Sequence, residues 1–310
     1  MLRLFLTGLA IGAANVIPGV SGGTIALLTG VYERLLGAIG RIGREPLRLL
    51  RAGHLERAWR TLDGPFLFAI GAGVAVGIVT LAKLLERLLK THEIETMAFF
   101  FGLILVSIYY VGRRVGRWGP GTTIMLVLGA AIAAGIALLA PASEDASAWY
   151  VFLCGVVAIC SMILPGLSGS FVLIMMGNYS LVLGAVSRLE FAILLPMVLG
   201  CAIGLLVFAK LLNWVFARWH DLTIALMTGF VLGSLAVIWP WKHKHTLEIA
   251  RSDGSVKTVT TGYDWFGPPW GSTTLVAVGL MITGGLVIWA MERFAGRDEP
   301  ADATGEPTRS

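Results

Sequence analysis

Charge is scarce in this sequence. Asp, Glu, Lys and Arg make up 14% of its 310 residues, against about 25% in a soluble domain, whereas 56% of the residues are hydrophobic. Several apolar runs approach the roughly 20 residues that cross the hydrocarbon of a bilayer. The composition excludes an ordinary soluble domain and predicts an all-α polytopic membrane protein. The net charge of +5 lies in loops, where it orients a membrane protein, so nucleic acid is not an expected partner.

Cysteine is equally scarce. Cys154, Cys160 and Cys201 all lie in apolar segments, and their spacing suits neither a metal site nor a disulfide framework. Small apolar packing residues are the simpler interpretation. We therefore expect no metal site and no cofactor.

Two short motifs interrupt the apolar runs. They are PGVSGGT at residues 18–24 and PGLSGSF at residues 165–171. Proline, glycine and serine at this density disfavour a continuous helix, and broken backbone is tolerated at membrane depth only where protein or water covers it. A break frees the N–H groups at the start of the following half-helix, and these groups attract an anion. We therefore expect two broken segments that face each other and hold an anionic group.

Hydroxyl and backbone groups of the motifs are the candidate ligands of that anion. Ser21 and Ser168 are the expected side-chain donors, joined by Thr24 and Ser170. Backbone N–H groups would complete an anion nest. The glycines expected to supply them are Gly19, Gly22, Gly23, Gly166 and Gly169.

Three further residues flank or open the motifs. Asn15 lies one turn before the first motif and either hydrogen-bonds the substrate or caps the broken backbone, while Pro18 and Pro165 are expected to break the helices. A simpler interpretation is that proline and glycine merely kink two packed helices. We favour a binding site because both motifs keep Pro, Gly, Ser and Gly at the same offsets. Discontinuous helices at corresponding positions of two halves mark the site in transporters.

The two motifs belong to an internal repeat. Each half has a short apolar segment before the motif (2–16; 149–164) and a second one from the motif onward (22–39; 169–187). We expect these two segments to form a re-entrant hairpin, with two full crossings as the alternative. Three longer segments follow in each half, at 65–89, 96–111 and 121–140, and at 191–216, 222–240 and 272–291. Glycines align between the halves: Gly73 with Gly200, Gly77 with Gly204, Gly102 with Gly229, and Gly129 with Gly279.

Loop charges predict the orientation. Residues 41–60 contain six arginines and residues 113–117 contain three, which favours the cytoplasm, whereas residues 141–148 contain two acids and no base. An odd number of crossings in each half then makes the repeats inverted, with both termini cytoplasmic. We treat residues 1–17 as part of the mature protein.

The chain is predicted to divide into two membrane repeats, at 1–140 and 149–294, joined by an external linker at 141–148. The first repeat contains a basic cytoplasmic loop at 41–63, and the second contains a polar external loop at 242–270. A disordered cytoplasmic tail is expected at 295–310.

Charged residues within or beside the apolar segments are secondary candidates. Lys83 and Lys210 occupy equivalent positions, where they either neutralise substrate charge or reach the interface with their ammonium groups. Glu33 follows the first motif and is either an interfacial charge or part of a gate or proton relay.

The motif regions carry a family resemblance. AANVIPGVSGGTIALLTGVYERLL, at residues 13–36, and ILPGLSGSFVLIMMGNY, at residues 163–179, resemble the bacterial polyprenyl-phosphate transporter family, and the resemblance covers nearly the whole chain. It implies inverted repeats with re-entrant hairpins. It also implies a flippase that returns undecaprenyl phosphate from the outer to the cytoplasmic leaflet of the bacterial inner membrane, for peptidoglycan and other envelope polymers. The matching positions are Asn15, 18–24 and 165–170. Membrane lipids are the other expected partners, and protons are a candidate coupling ion.

Two other classes of function remain open. A small-anion channel or secondary transporter would use the same half-helix ends. An integral membrane polyprenyl-pyrophosphate phosphatase would also use broken helices, but it needs an acid, a base or a strong charge clamp beside the phosphate. Neither motif contains His, Arg, Asp or Glu. We therefore predict no catalytic residue and favour transport over catalysis.

Overall fold

The protein consists mainly of membrane-spanning helices. A computed structural model describes residues 1–16, 21–139, 142–250 and 256–295. Within these ranges, six helices are long and apolar enough to cross a bilayer. They are α6 (Gly64–Thr91), α7 (Glu93–Gly112), α8 (Pro120–Leu138), α12 (Phe191–Arg218), α13 (His220–Ile238) and α14 (Ser272–Ala295). They correspond to the three long segments expected in each half, and the all-α polytopic prediction is confirmed.

Shorter helices surround each motif. They are α1 (Leu2–Val16), α2 (Gly22–Leu28) and α3 (Tyr32–Gly40), and in the second half α9 (Ala148–Ile163), α10 (Gly169–Met175) and α11 (Tyr179–Arg188). The second apolar segment of each half is thus two helices instead of one. The chain turns at Gly30 (φ +76°) and Gly177 (φ +78°), in the left-handed conformation that commonly ends a helix. Helices α10 and α11 meet at 115°. Whether the motif segments are re-entrant stays a prediction.

Two polar stretches are more ordered than the sequence suggested. The basic loop contains helices α4 (Arg44–Arg51) and α5 (Leu55–Thr61). The segment 242–270, expected as a polar loop, contains an antiparallel hairpin of β1 (Lys242–Ala250) and β2 (Val256–Trp265). The register runs from Lys242 opposite Trp265 to Ala250 opposite Val256. A hairpin forms here in place of a loop because β2 is rich in valine, threonine and aromatic residues, which favour strands.

Glycines let the first long helix of each half approach its neighbour closely. A Cβ added to Gly73 of α6 would lie 2.1 Å from the Phe5 carbonyl oxygen of α1, and one added to Gly200 of α12 would lie 2.1 Å from the Phe152 carbonyl oxygen of α9. The contact in the second half therefore repeats the contact in the first at aligned residues.

Helices from different halves pair through the same kind of contact. A Cβ added to Gly129 of α8 would lie 2.2 Å from the Leu226 carbonyl oxygen of α13, and one added to Gly284 of α14 would lie 2.1 Å from the Phe99 carbonyl oxygen of α7. No neighbouring atom in the described part of the chain lies within 4 Å of such a Cβ on Gly279. The structural counterpart of Gly129 is therefore Gly284, and the expected alignment of Gly129 with Gly279 is wrong. The inverted relation of the two halves stays a prediction.

The main hydrophobic core lies where the motif helices meet the long ones. It is formed chiefly by α2, α3, α7, α12 and α13, and its buried side chains include Leu27, Leu36, Ile104, Phe216 and Met227. The first motif helix is thus enclosed by protein, which satisfies the condition for broken backbone inside a membrane.

Candidate functional site

The first motif has its helix start capped from within. Ser21 is the N-cap of α2, and its Oγ accepts a hydrogen bond from the Gly23 N–H at 3.2 Å. The Asn15 Oδ1 accepts from the Gly22 N–H at 3.0 Å, and the Ser21 carbonyl accepts from the Thr24 N–H at 2.9 Å. The first three N–H groups of α2 therefore all have partners. Of the two interpretations of Asn15, the structure displays the capping one.

The remaining groups of the first motif contact the break in the second half. The Ser21 hydroxyl donates to the Leu164 carbonyl at 3.3 Å, and the Thr24 Oγ1 accepts from the Gly166 N–H at 3.0 Å. Ser21 and Thr24 are 3% and 1% exposed. Tyr32 adds a hydrogen bond from its hydroxyl to the Ile163 carbonyl at 3.2 Å. The first motif thus supplies hydrogen-bond partners to the Leu164 carbonyl and the Gly166 N–H of the second break. Pro18 and Gly19 lie outside the described residues.

Close approach requires glycine on both sides of this contact. A Cβ added to Gly23 would lie 2.7 Å from the Ile163 carbonyl oxygen. Gly166 has φ +79°, and a Cβ there would lie 2.4 Å from the Phe230 carbonyl oxygen of α13. These glycines are needed because other backbone occupies the space of a side chain.

The second motif leaves its helix start open. Ser168 is the N-cap of α10 but makes no side-chain capping bond; its Oγ instead lies 3.0 Å from the Oγ of Ser170, whose side chain is exposed. The residue that aligns with Asn15 is Met162, which cannot cap as an amide does. Among the described residues, no group accepts from the N–H groups of Gly169, Ser170 or Phe171.

The two motifs therefore differ in what they offer a ligand. At α2 the described N–H groups and hydroxyls are already bonded to protein. At α10 three N–H groups and one hydrogen of the Ser168–Ser170 hydroxyl pair have no acceptor among the described residues, and such groups suit a phosphate oxygen. Pro165 lies in the turn between α9 and α10, as expected of a helix break.

Sequence reasoning missed two residues that support the motifs. Tyr32 was not singled out, although its buried hydroxyl joins the halves. Arg114 was assigned only to a basic loop, but its guanidinium donates to the Leu28 carbonyl at 2.7 Å and so stabilises the C-terminal end of α2. Its only sequence signal was its position just after an apolar segment.

The secondary candidates lie elsewhere. The Lys210 Nζ lies 3.8 Å from where a Cβ on Gly43 would be, beyond the end of α3, and its side chain is exposed. The Glu33 carboxylate is exposed and lies 3.4 Å from the His220 Nε2. Lys83 is in α6, and its side chain is outside the described part. The contacts described for Lys210 and Glu33 do not include a motif residue, and their roles stay predictions.

The chain is similar to known proteins over most of its length. The model of a family described as undecaprenyl phosphate translocase-like matches residues 11–256. A polyprenyl-phosphate transporter from Vibrio cholerae is 40% identical over 300 residues, which are 95% of this chain and 97% of that protein. One from Staphylococcus aureus is 33% identical over 253 residues, which are 76% of this chain and 85% of that protein. No solved structure matches the chain significantly.

Proposed function

Since the chain belongs to the undecaprenyl phosphate translocase-like family, it is a membrane transporter of polyprenyl phosphate, and we propose that it is a flippase for undecaprenyl phosphate. The direction we propose is from the outer to the cytoplasmic leaflet of the bacterial inner membrane, with both termini in the cytoplasm. Such movement would return the carrier lipid for envelope synthesis. The names of the relatives, which are transporters and not enzymes, support transport over the phosphatase alternative.

The observation that carries the proposal is the direct contact between the two helix breaks. The phosphate head of a lipid is costly to move through hydrocarbon, because a charge loses its hydration there. The hydrogen bond between Thr24 and Gly166 joins the two breaks, and the nearby start of α10 has N–H groups without an acceptor among the described residues, together with the Ser168–Ser170 hydroxyl pair. These groups would replace water around the head while the polyprenyl tail stays in the bilayer.

We assign different roles to the two motifs. The phosphate oxygens would accept from the N–H groups of Gly169 and Ser170 and from the Ser168–Ser170 hydroxyl pair. The first motif, from Ser21 to Thr24, would fix the backbone of the second break through its hydrogen bonds to Leu164 and Gly166, and Asn15 would cap the first motif's own helix. Because no fully charged side chain would bind the phosphate head, its binding would be reversible. Movement of one repeat against the other would then carry the head across the membrane.

The test is leaflet-resolved transport in proteoliposomes. Labelled undecaprenyl phosphate is supplied to one leaflet, and its arrival in the other is followed with the wild type, the Ser168→Ala/Ser170→Ala variant and a Thr29→Ala variant. Thr29 is the matched control, since its hydroxyl bonds only to carbonyls of its own helix. We expect transport by the wild type and the control and slow transport by the double variant.

Three outcomes would contradict parts of the proposal. Equal transport by all three proteins would remove the hydroxyl pair from the site. Flux of inorganic phosphate without lipid movement would favour the small-anion alternative. Release of inorganic phosphate from undecaprenyl pyrophosphate would favour the phosphatase.

A further inference from the structure

Helices α4 and α5 have apolar faces that the described part of the protein leaves exposed. In α4, Leu47 and Leu50 are 51% and 46% exposed, and in α5, Leu55 and Trp59 are 68% and 48% exposed. Both helices repeat apolar residues at helical spacing, so these side chains form one face on each. A shallow groove of about 500 Å³ runs along this surface. Its lining is almost entirely apolar: Leu50, Leu55, Glu56, Ala58, Trp59 and Leu62.

Exposed arginines lie beside or opposite these apolar side chains. Arg48, Arg51 and Arg57 are exposed, and no carboxylate in the described part of the chain pairs with any of them. Arg60, in contrast, pairs with Glu56 at 2.6 Å. A helix with leucine and tryptophan on one face and arginine on the other is typical of the membrane interface.

Helix α5 packs against the residue at which a candidate membrane span begins. The Trp59 indole packs against Gly64, the first residue of α6, so that a Cβ on Gly64 would lie 2.1 Å from the indole Cδ2. The membrane-spanning part of α6 begins at the same residue. Because Trp59 belongs to the exposed apolar face of α5, that face lies next to the start of this span.

We infer that α4 and α5 form an interfacial hairpin that binds the anionic headgroups of the leaflet at which α6 begins. The leucines and Trp59 would enter the boundary between headgroups and acyl chains, and Arg48, Arg51 and Arg57 would pair with lipid phosphates. This surface is separate from the motif site, and the inference holds whichever lipid the protein transports.

The C-terminal tail is a less suitable occupant. Residues 296–310 contain four acids and two arginines, so they match the arginines in charge. The same residues contain no leucine, isoleucine, valine, methionine or aromatic side chain, so they offer nothing to the apolar face. A lipid leaflet complements both faces at once.

The test places a nitroxide label on the apolar face of the intact protein. Leu55→Cys is introduced after Cys154, Cys160 and Cys201 are changed to alanine, and the protein is inserted into nanodiscs with or without phosphatidylglycerol in phosphatidylcholine. Label depth is measured from its relative accessibility to oxygen and to a soluble nickel chelate. We expect a buried label with phosphatidylglycerol and a more aqueous one without it, whereas a label at Arg57→Cys stays aqueous in both.

Charge variants test the arginines separately. Arg48→Gln/Arg51→Gln should lower the ratio of buried to aqueous Leu55 label about fivefold for each arginine removed, as expected for roughly 1 kcal/mol per cation at an anionic surface. Glu56→Gln/Arg60→Gln removes a paired couple without changing net charge and should leave the ratio unchanged. All variants should elute as monodisperse protein with wild-type helix content.

Other results would overturn the inference. An aqueous Leu55 label in both nanodiscs would show that the face does not enter the membrane. A label equally buried without phosphatidylglycerol would show that the arginines do not recognise anionic lipid. A label that becomes aqueous only after deletion of residues 296–310 would identify the tail as the occupant, and dipolar coupling between labels of two copies would identify a dimer interface.

Discussion

The Thr24 hydroxyl accepts a hydrogen bond from the Gly166 N–H at 3.0 Å, and this bond joins the two motifs in the protein interior. Both groups are buried, so neither could find water if the other were removed. The bond therefore links the stability of the fold to the geometry of the candidate site.

Thr24→Val should destabilise the protein and slow transport. Valine keeps the shape but leaves the buried Gly166 N–H without an acceptor, at a cost of about 1–3 kcal/mol. Thermal unfolding in detergent and the proteoliposome assay measure the two effects. Thr29→Val is the control, because the Thr29 hydroxyl bonds only within its own helix region. Equal effects of the two changes would show that the contact between motifs has no special weight.

Met162→Asn should reduce transport without destabilising the fold. The new amide would stand where Asn15 stands in the first half and would cap the Gly169 N–H. An added cap contributes about 0.5–2 kcal/mol to stability, but it would compete with the phosphate for that N–H group. The measurement is undecaprenyl phosphate affinity beside the melting temperature. Unchanged affinity in a more stable variant would remove the Gly169 N–H from the site.

Gly73→Ala should be strongly destabilising, whereas Gly71→Ala should be tolerated. A Cβ on Gly73 would lie 2.1 Å from the Phe5 carbonyl oxygen, while one on Gly71 would have no neighbour within 4 Å among the residues that the structure describes. Separating the packed helices α1 and α6 should cost about 1–3 kcal/mol or more. Melting temperatures of the two variants in the same detergent provide the comparison. A similar loss in both would indicate a helix-wide effect instead of a local clash.

Stability should fall in acid partly through Asp63. The Arg34 Nε donates a hydrogen bond to the Asp63 Oδ2 at 2.7 Å, and this bond lowers the pKa of the Asp63 carboxyl. Because the folded pKa lies below the unfolded one, the stabilisation is fully present above the unfolded value of about 4 and is lost as pH falls through the folded value. Melting temperatures of the wild type and Asp63→Asn should differ at neutral pH and converge in acid. A constant difference across this range would contradict the assignment.

Much of the fold was predictable because spanning helices leave a strong compositional signal. Long apolar segments located α6 and α12 to within a few residues, since hydrocarbon thickness sets their length. The β1–β2 hairpin was missed because its residues are polar and only their β propensity marks it. Gly279 was aligned with Gly129 in place of Gly284, because glycine identity alone does not reveal which residue contacts a backbone.

The candidate site was only partly predictable. The repeat of Pro, Gly, Ser and Gly pointed to Ser21 and Ser168 alike, but it could not show that the first hydroxyl is already bonded to Leu164. Partners so far apart in the sequence emerge only from tertiary packing. Aligning the two motifs of the sequence places Met162 opposite Asn15. The effect of this difference on the helix start becomes evident only from the Gly22 N–H that Asn15 caps.

That difference means that the two halves are not interchangeable. Two copies of the first half would cap both helix starts with asparagine and leave no N–H group for a ligand. Two copies of the second half would leave two open starts and no Thr24 hydroxyl to accept from the broken backbone. Each half therefore supplies what the other lacks: the first provides the Thr24 acceptor, and the second provides the uncapped helix start.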